Sequence, residues 1–215
     1  MRLGTSADLE QGAPVLAVSA VGPQPITPAM VVDRRTFGGY WEYLIEDAIF
    51  TAPPQPFFGG AALLGRDGQL LGIGSLMVND AVIGAGEAPG NMFVPIDVLK
   101  PILADLIKRG RSSIKSHPWL GVYTAEHEGR IFVTRTASEG PGEAAGVKPG
   151  DIIIGIGGEL ARDKADFLRK VWSQGDAGTV VPLDIMRSDD DSDDVVRIEV
   201  RSADRYDWLK LSGRL

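Results

Sequence analysis

The chain is 215 residues long, with 44% hydrophobic and 24% charged residues, enough for one or two domains with a packed core. A formal net charge of −7 without a basic block excludes the electrostatic footprint of a nucleic-acid binder. The absence of cysteine excludes disulfides and cysteine metal sites. No apolar run approaches the roughly 18 residues of a membrane span, and no signal-peptide pattern opens the sequence.

The 27 glycines and 14 prolines punctuate short apolar runs, which reads as a β-rich chain. Residues 14–21 and 28–33 are predicted strands, joined through Gly22 to Pro25. The run Tyr40-Trp41-Glu42-Tyr43 reads as buried barrel aromatics, and Ala48-Ile49-Phe50 as a buried strand. Pro53-Pro54-Gln55-Pro56 then breaks regular structure. Segments 61–64 and 69–73 flank Arg66-Asp67-Gly68, a tight-turn signal for a hairpin, and Met92-Phe93-Val94 is a further strand. Leu99, Ile102, Leu103, Leu106 and Ile107 share one stripe at helical spacing. They predict one helix with Pro101 in its first turn and Gly110 at its stop. A polar linker, 111–116, follows.

Strands are predicted next at 121–124, 131–134, 152–156, 180–186 and 195–200. A helix starts after Asp163, a good N-cap, and runs to Gln174, with Gly175 as its stop. Its apolar positions are Phe167, Leu168, Val171 and Trp172. Asp189-Asp190-Asp191-Ser192-Asp193-Asp194 lacks the glycine and closing glutamate of an EF-hand loop. It reads as a solvated hairpin, and neither a metal nor a cofactor is expected.

Three stretches together resemble the HtrA/Deg family of trypsin-like serine proteases. Leu3-Gly4-Thr5-Ser6 with Leu9-Glu10-Gln11-Gly12 is similar to the start of that family's second β-barrel. Gly59-Gly60-Ala61-Ala62-Leu63-Leu64, Asp67-Gly68 and Leu71-Gly72-Ile73 resemble the segment after its nucleophile. Pro118-Trp119-Leu120-Gly121-Val122 and Ala144-Ala145-Gly146-Val147-Lys148-Pro149-Gly150-Asp151-Ile152-Ile153 resemble bacterial PDZ domains. The resemblance implies a mainly β chain: a trypsin-like β-barrel over 1–115, an α+β PDZ domain over 116–203, and a tail over 204–215.

The resemblance also implies what is missing. The family's nucleophile lies in Gly-Asn-Ser-Gly-Gly, and anchoring on Gly59-Gly60 sets Pro56-Phe57-Phe58 against Gly-Asn-Ser. A phenyl ring cannot act as a nucleophile, so Phe58 is a degenerate nucleophile position. Pro56, without an N–H, is a degenerate oxyanion position. The family's His and Asp belong to a first barrel that this chain does not contain. His117 reads as linker and His127 as the tip of a solvated hairpin. Phe57 and Phe58 are expected to fill the old cleft as core. No catalytic residue is assigned.

What the resemblance implies in its place is peptide capture. Trp119, Leu120, Gly121 and Val122 match the family's carboxylate-binding loop, with backbone N–H groups as donors. Val122, Tyr123 and Thr124 would pair with an extended peptide. Phe167, Leu168 and Val171 would shape an apolar pocket, and Trp172 is core. The expected function is recognition of peptides or protein C-termini with apolar ends by a catalytically inactive homologue. The alternatives are a fragment of an HtrA-type serine endopeptidase in protein quality control, or a structural assembly module. Oligomer formation is left open, and the resemblance implies a bacterial periplasmic or envelope setting.

Overall fold

A computed structural model describes residues 1–187 and 194–210 of the chain. The acidic run at 189–194 therefore lies, except for Asp194, outside the described residues. Two compact units result: Met1–Phe37 with Ile45–Lys108, and Gly38–Leu44 with the chain from Arg109 onward.

The first unit is built on a closed antiparallel barrel of β1 (Pro14–Val18), β2 (Ile26–Gly39), β3 (Tyr43–Ala52), β4 (Ala62–Leu64), β5 (Leu70–Val78) and β6 (Gly90–Pro95), in the order β1-β2-β3-β6-β5-β4. Period-two alternation turns Val15 and Ala17 inward and Pro14 and Leu16 outward along β1. They meet Val31, Ile49, Leu63 and Phe93 in the core. Closing the sheet leaves no free edge. The Arg66-Asp67-Gly68 turn falls between β4 and β5 as expected, with Gly68 at φ +68°.

The predicted single helix is two short ones, α1 (Ile96–Leu99) and α2 (Leu103–Arg109). Pro101 has no N–H to continue the ladder, although Lys100 just before it keeps helical dihedrals (φ −50°, ψ −48°). The apolar stripe is not a core face either: α2 has no buried residue, and Ile107 is 78% exposed.

The second unit is a sheet in the order β12-β11-β9-β8-β7, with β10 paired to β9. Its strands are β7 (Val122–His127), β8 (Arg130–Thr136), β9 (Ile152–Ile156), β10 (Glu159–Leu160), β11 (Val180–Met186) and β12 (Val195–Arg201). It carries α3 (Pro141–Ala144), α4 (Lys164–Ser173) and α5 (Arg205–Trp208). Asp163 caps α4 as expected, its carboxylate accepting from the Asp166 N–H at 2.7 Å.

The motif Gly146-Val147-Lys148-Pro149-Gly150-Asp151 has a physical reason here. Asp151, 1% exposed, accepts from the Lys148 N–H at 2.8 Å and pairs with Arg187 at 3.0 Å. A buried carboxylate so satisfied fixes the turn that leads into β9.

Candidate functional site

The barrel loop between β3 and β4 is held by Gln55, which is fully buried. Its backbone N–H donates to Asn91 Oδ1 at 2.5 Å, and Asn91 Nδ2 returns a bond to the Gln55 carbonyl at 3.2 Å. Gln55 Nε2 reaches the Gln24 carbonyl and Thr27 Oγ1, both at 3.0 Å. Gln55 Oε1 accepts the Phe57 N–H at 3.1 Å. The loop then closes on β5: Ala61 N–H donates to the Phe58 carbonyl at 2.9 Å, and Gly60 N–H to the Gly74 carbonyl at 2.9 Å. Gly74 is required there, since a Cβ would stand 2.1 Å from the Phe58 carbonyl oxygen.

Of the three residues set against a nucleophile motif, Pro56 has no N–H to offer and Phe57 has committed its own to Gln55. Phe57 is 40% exposed, with its ring against Gly22, and Phe58 is only half-buried. The expectation that both fill a cleft as core is therefore corrected. The proline-rich approach and the Gln55 anchor hold this segment at the surface.

The loop ahead of β7 is organised differently. Trp119 is buried, pairs through its backbone with Ala203 in both directions (3.1 and 2.9 Å), and packs on Trp208 with ring centroids 4.6 Å apart. Gly121 sits at φ +69°, and a Cβ there would meet the Trp119 ring and Ala137 at 3.2 Å. Glycine is thus needed both for the left-handed turn and for the close packing. The turn aims the Leu120 and Val122 N–H groups at one point. A carboxylate occupies it: Leu120 N–H donates to Glu42 Oε2 and Val122 N–H to Glu42 Oε1, each at 2.8 Å.

Burial pushes the Glu42 carboxyl up to about 7, against the opposing pull of backbone donors at Leu120, Val122 and Gly121 and of the Arg205 charge. The carboxyl end is enclosed, although the residue as a whole keeps some exposure.

The remaining predicted residues fall around this point. Thr124 is 2% exposed, and its N–H donates to the Tyr40 carbonyl at 3.0 Å. Tyr123 is half-buried between Arg135, 4.0 Å above its ring, and Tyr40, with centroids 6.3 Å apart. Phe167, Leu168 and Val171 are fully buried in the core cluster that also holds Leu120 and Val122. Trp172 packs partly buried against that cluster and stacks on His117 at 4.4 Å. His117 lies outside any helix or strand and is exposed, as a linker residue would be, and His127 is exposed at its hairpin.

The sequence reading missed Glu42 and its neighbours. Tyr40, Trp41 and Tyr43 are not buried barrel aromatics: Tyr40 is 57% exposed and the other two are half-buried. They form the tip of the β2–β3 hairpin, with Trp41 stacked on Tyr43 at 5.4 Å and edge-on to Tyr40 at 4.4 Å. The local signal was a glutamate set among three aromatic residues directly after Gly38-Gly39.

One unit is thus a closed barrel, and the other a six-stranded sheet with helices and a glycine loop whose N–H groups gather a carboxylate. Residues 118–200 match the PDZ domain family. The Serine protease Do-like HtrA of Bacillus subtilis is 27% identical over 86% of this chain and 46% of its own length. That of Lactobacillus helveticus is 25% identical over 92% and 52%. The "Probable periplasmic serine endoprotease DegP-like" of Rhizobium meliloti is 29% identical over 62% and 27%. Among solved structures, the HtrA-type protease AlgW with tripeptide superposes with a TM-score of 0.56 at 20% identity, covering 94% of this chain and 68% of that one. Residues 118–200 form a PDZ domain, and most of the chain is similar to HtrA-type serine proteases. It spans about half the length of the first two curated relatives.

Proposed function

We propose that this chain captures the C-termini or extended segments of other proteins in the groove between β7 and α4, and that it does not hydrolyse peptide bonds. The observation that carries the reading is the pair of N–H groups at Leu120 and Val122, already holding a carboxylate at 2.8 Å. A peptide laid antiparallel to β7 would add a strand, and its terminal carboxylate would take those donors. The buried wall of Phe167, Leu168 and Val171 favours apolar terminal side chains.

Loss of hydrolysis is supported by Phe58, which supplies no nucleophile, and by Pro56, which supplies no oxyanion donor. Loss of one such donor alone costs roughly a hundred- to a thousand-fold. The setting we assign is the bacterial envelope, in keeping with the periplasmic name of the Rhizobium relative.

Titration with hexapeptides ending in Val, Leu or Phe tests the reading. Free-carboxylate forms should bind and C-terminal amides should not, and Gly121→Val should abolish binding. Equal binding of acid and amide would overturn it. A second reading, a piece of an active serine endopeptidase, is favoured by the names of the relatives. It requires casein cleavage and labelling by a fluorophosphonate, and we expect neither.

A further inference from the structure

The groove is already occupied by the chain itself. We propose that residues 40–44 are an intramolecular ligand, with Glu42 standing in for a peptide's terminal carboxylate, so that an outside peptide binds only by displacing this tip. This inference rests on the reading of the β7–α4 groove as a peptide site.

Three contacts carry it. The Glu42 carboxylate takes the Leu120 and Val122 N–H groups. The Tyr40 carbonyl takes the Thr124 N–H at 3.0 Å. Leu44 packs, partly buried, against the core cluster of Leu120, Val122, Phe167 and Leu168. A terminal carboxylate, a strand-pairing carbonyl and an apolar side chain are what a docked peptide end would supply. The direction also fits. From Tyr40 to Glu42 the chain advances while its partners run from Thr124 back to Leu120, as an antiparallel added strand would.

The tip is shaped for this position. Glu42 has φ +57°, a left-handed conformation that glycine or asparagine adopts more easily. The stacked Trp41–Tyr43 pair and the edge-on Tyr40 stiffen the turn, and a prepaid turn lowers the cost of docking. Gly38 lies beside Lys164 at the start of α4, where an added Cβ would be 3.4 Å from Lys164 Cε. The chain leading into the occupying segment therefore borders α4, while the segment itself meets β7.

The test uses the whole chain, 15N-labelled, with Glu42→Ala and Glu42→Gln. The probes are the free-carboxylate hexapeptides ending in Val, Leu or Phe. Amide exchange at Leu120 and Val122 should be slow in the parent and at least roughly tenfold faster in Glu42→Ala, while core amides of α4 keep their protection. Peptide affinity should rise roughly tenfold or more, because the groove is then free for a larger fraction of the time. Glu42→Gln, which keeps one acceptor oxygen, should fall between the two.

Faster exchange without peptide binding to any form would support the docked tip and overturn the peptide-binding reading. Peptide binding of equal strength in all three forms, with exchange unchanged, would overturn the docked tip and leave that reading standing.

Discussion

The two loops use the same backbone chemistry to different ends. Both can in principle point N–H groups at an oxygen anion. In the barrel loop Pro56 has no N–H to offer, and Phe57 donates its own to Gln55 within its own turn. In the loop ahead of β7 they converge, because Gly121 at φ +69° turns the chain so that Leu120 and Val122 face the same carboxylate. The difference teaches that an anion site is made by where neighbouring side chains leave N–H groups unclaimed. A glycine pair nearby is not enough, since Gly59-Gly60 survives in the loop that gathers nothing.

The sharpest way to break this contrast is at Gly121. Gly121→Val adds β-branched bulk at a positive φ and against the Trp119 ring and Ala137. Strain and overpacking together should cost about 2–4 kcal/mol in denaturant melts of the second unit, and free-carboxylate peptide binding should vanish in calorimetry. Retained stability and affinity would show that the turn does not organise the donors.

Next in size is a pH effect from Glu42. Its folded value of about 7 lies above the 4.5 of the unstructured group, chiefly through burial. The folded form therefore prefers the protonated acid. The stability penalty is absent below about 4.5, grows as pH rises, and is complete above about 7, amounting to roughly 3 kcal/mol. Arg205, His117, Asp204 and Tyr206 line the same cavity of about 160 Å³ beside Glu42. Chemical denaturation at pH 5 and pH 8 should show the parent losing stability with rising pH relative to Glu42→Gln. Parallel profiles would contradict the enclosed carboxyl.

A smaller effect is expected at Asp163. Asp163→Ala removes the cap of α4, the helix that would wall the proposed groove, and should cost about 1 kcal/mol in stability, with a modest loss of peptide affinity. The smallest expected effect is at the barrel loop. Phe58→Ser should give no casein cleavage and no fluorophosphonate labelling, because no histidine lies in the barrel unit and Pro56 still lacks a donor. Measurable labelling would erase the contrast between the loops.

Much of this was legible in the sequence, for local reasons. Strands β9 and β11 and the Asp163-capped helix follow from short-range alternation, N-cap chemistry and glycine stops, so their predicted positions agree with the structure. The glycine turn ahead of β7 was readable from Trp119-Leu120-Gly121-Val122. The helix stripe at 99–107 misled because periodicity ignores Pro101, which splits the segment in two. Glu42 was hidden for a different reason. Nearly 80 residues separate it from Leu120 and Val122, and no local pattern encodes a contact that only the fold of the β2–β3 tip creates.

The most direct test of the contrast is amide shift mapping of the 15N-labelled Glu42→Ala chain, titrated with a free-carboxylate hexapeptide ending in Leu. The account predicts shifts at Leu120, Gly121 and Val122, continuing through Tyr123 and Thr124, with Phe57 to Gly60 unmoved. Shifts centred on Phe57 to Gly60, or none at Leu120 to Val122 in a folded protein, would contradict it.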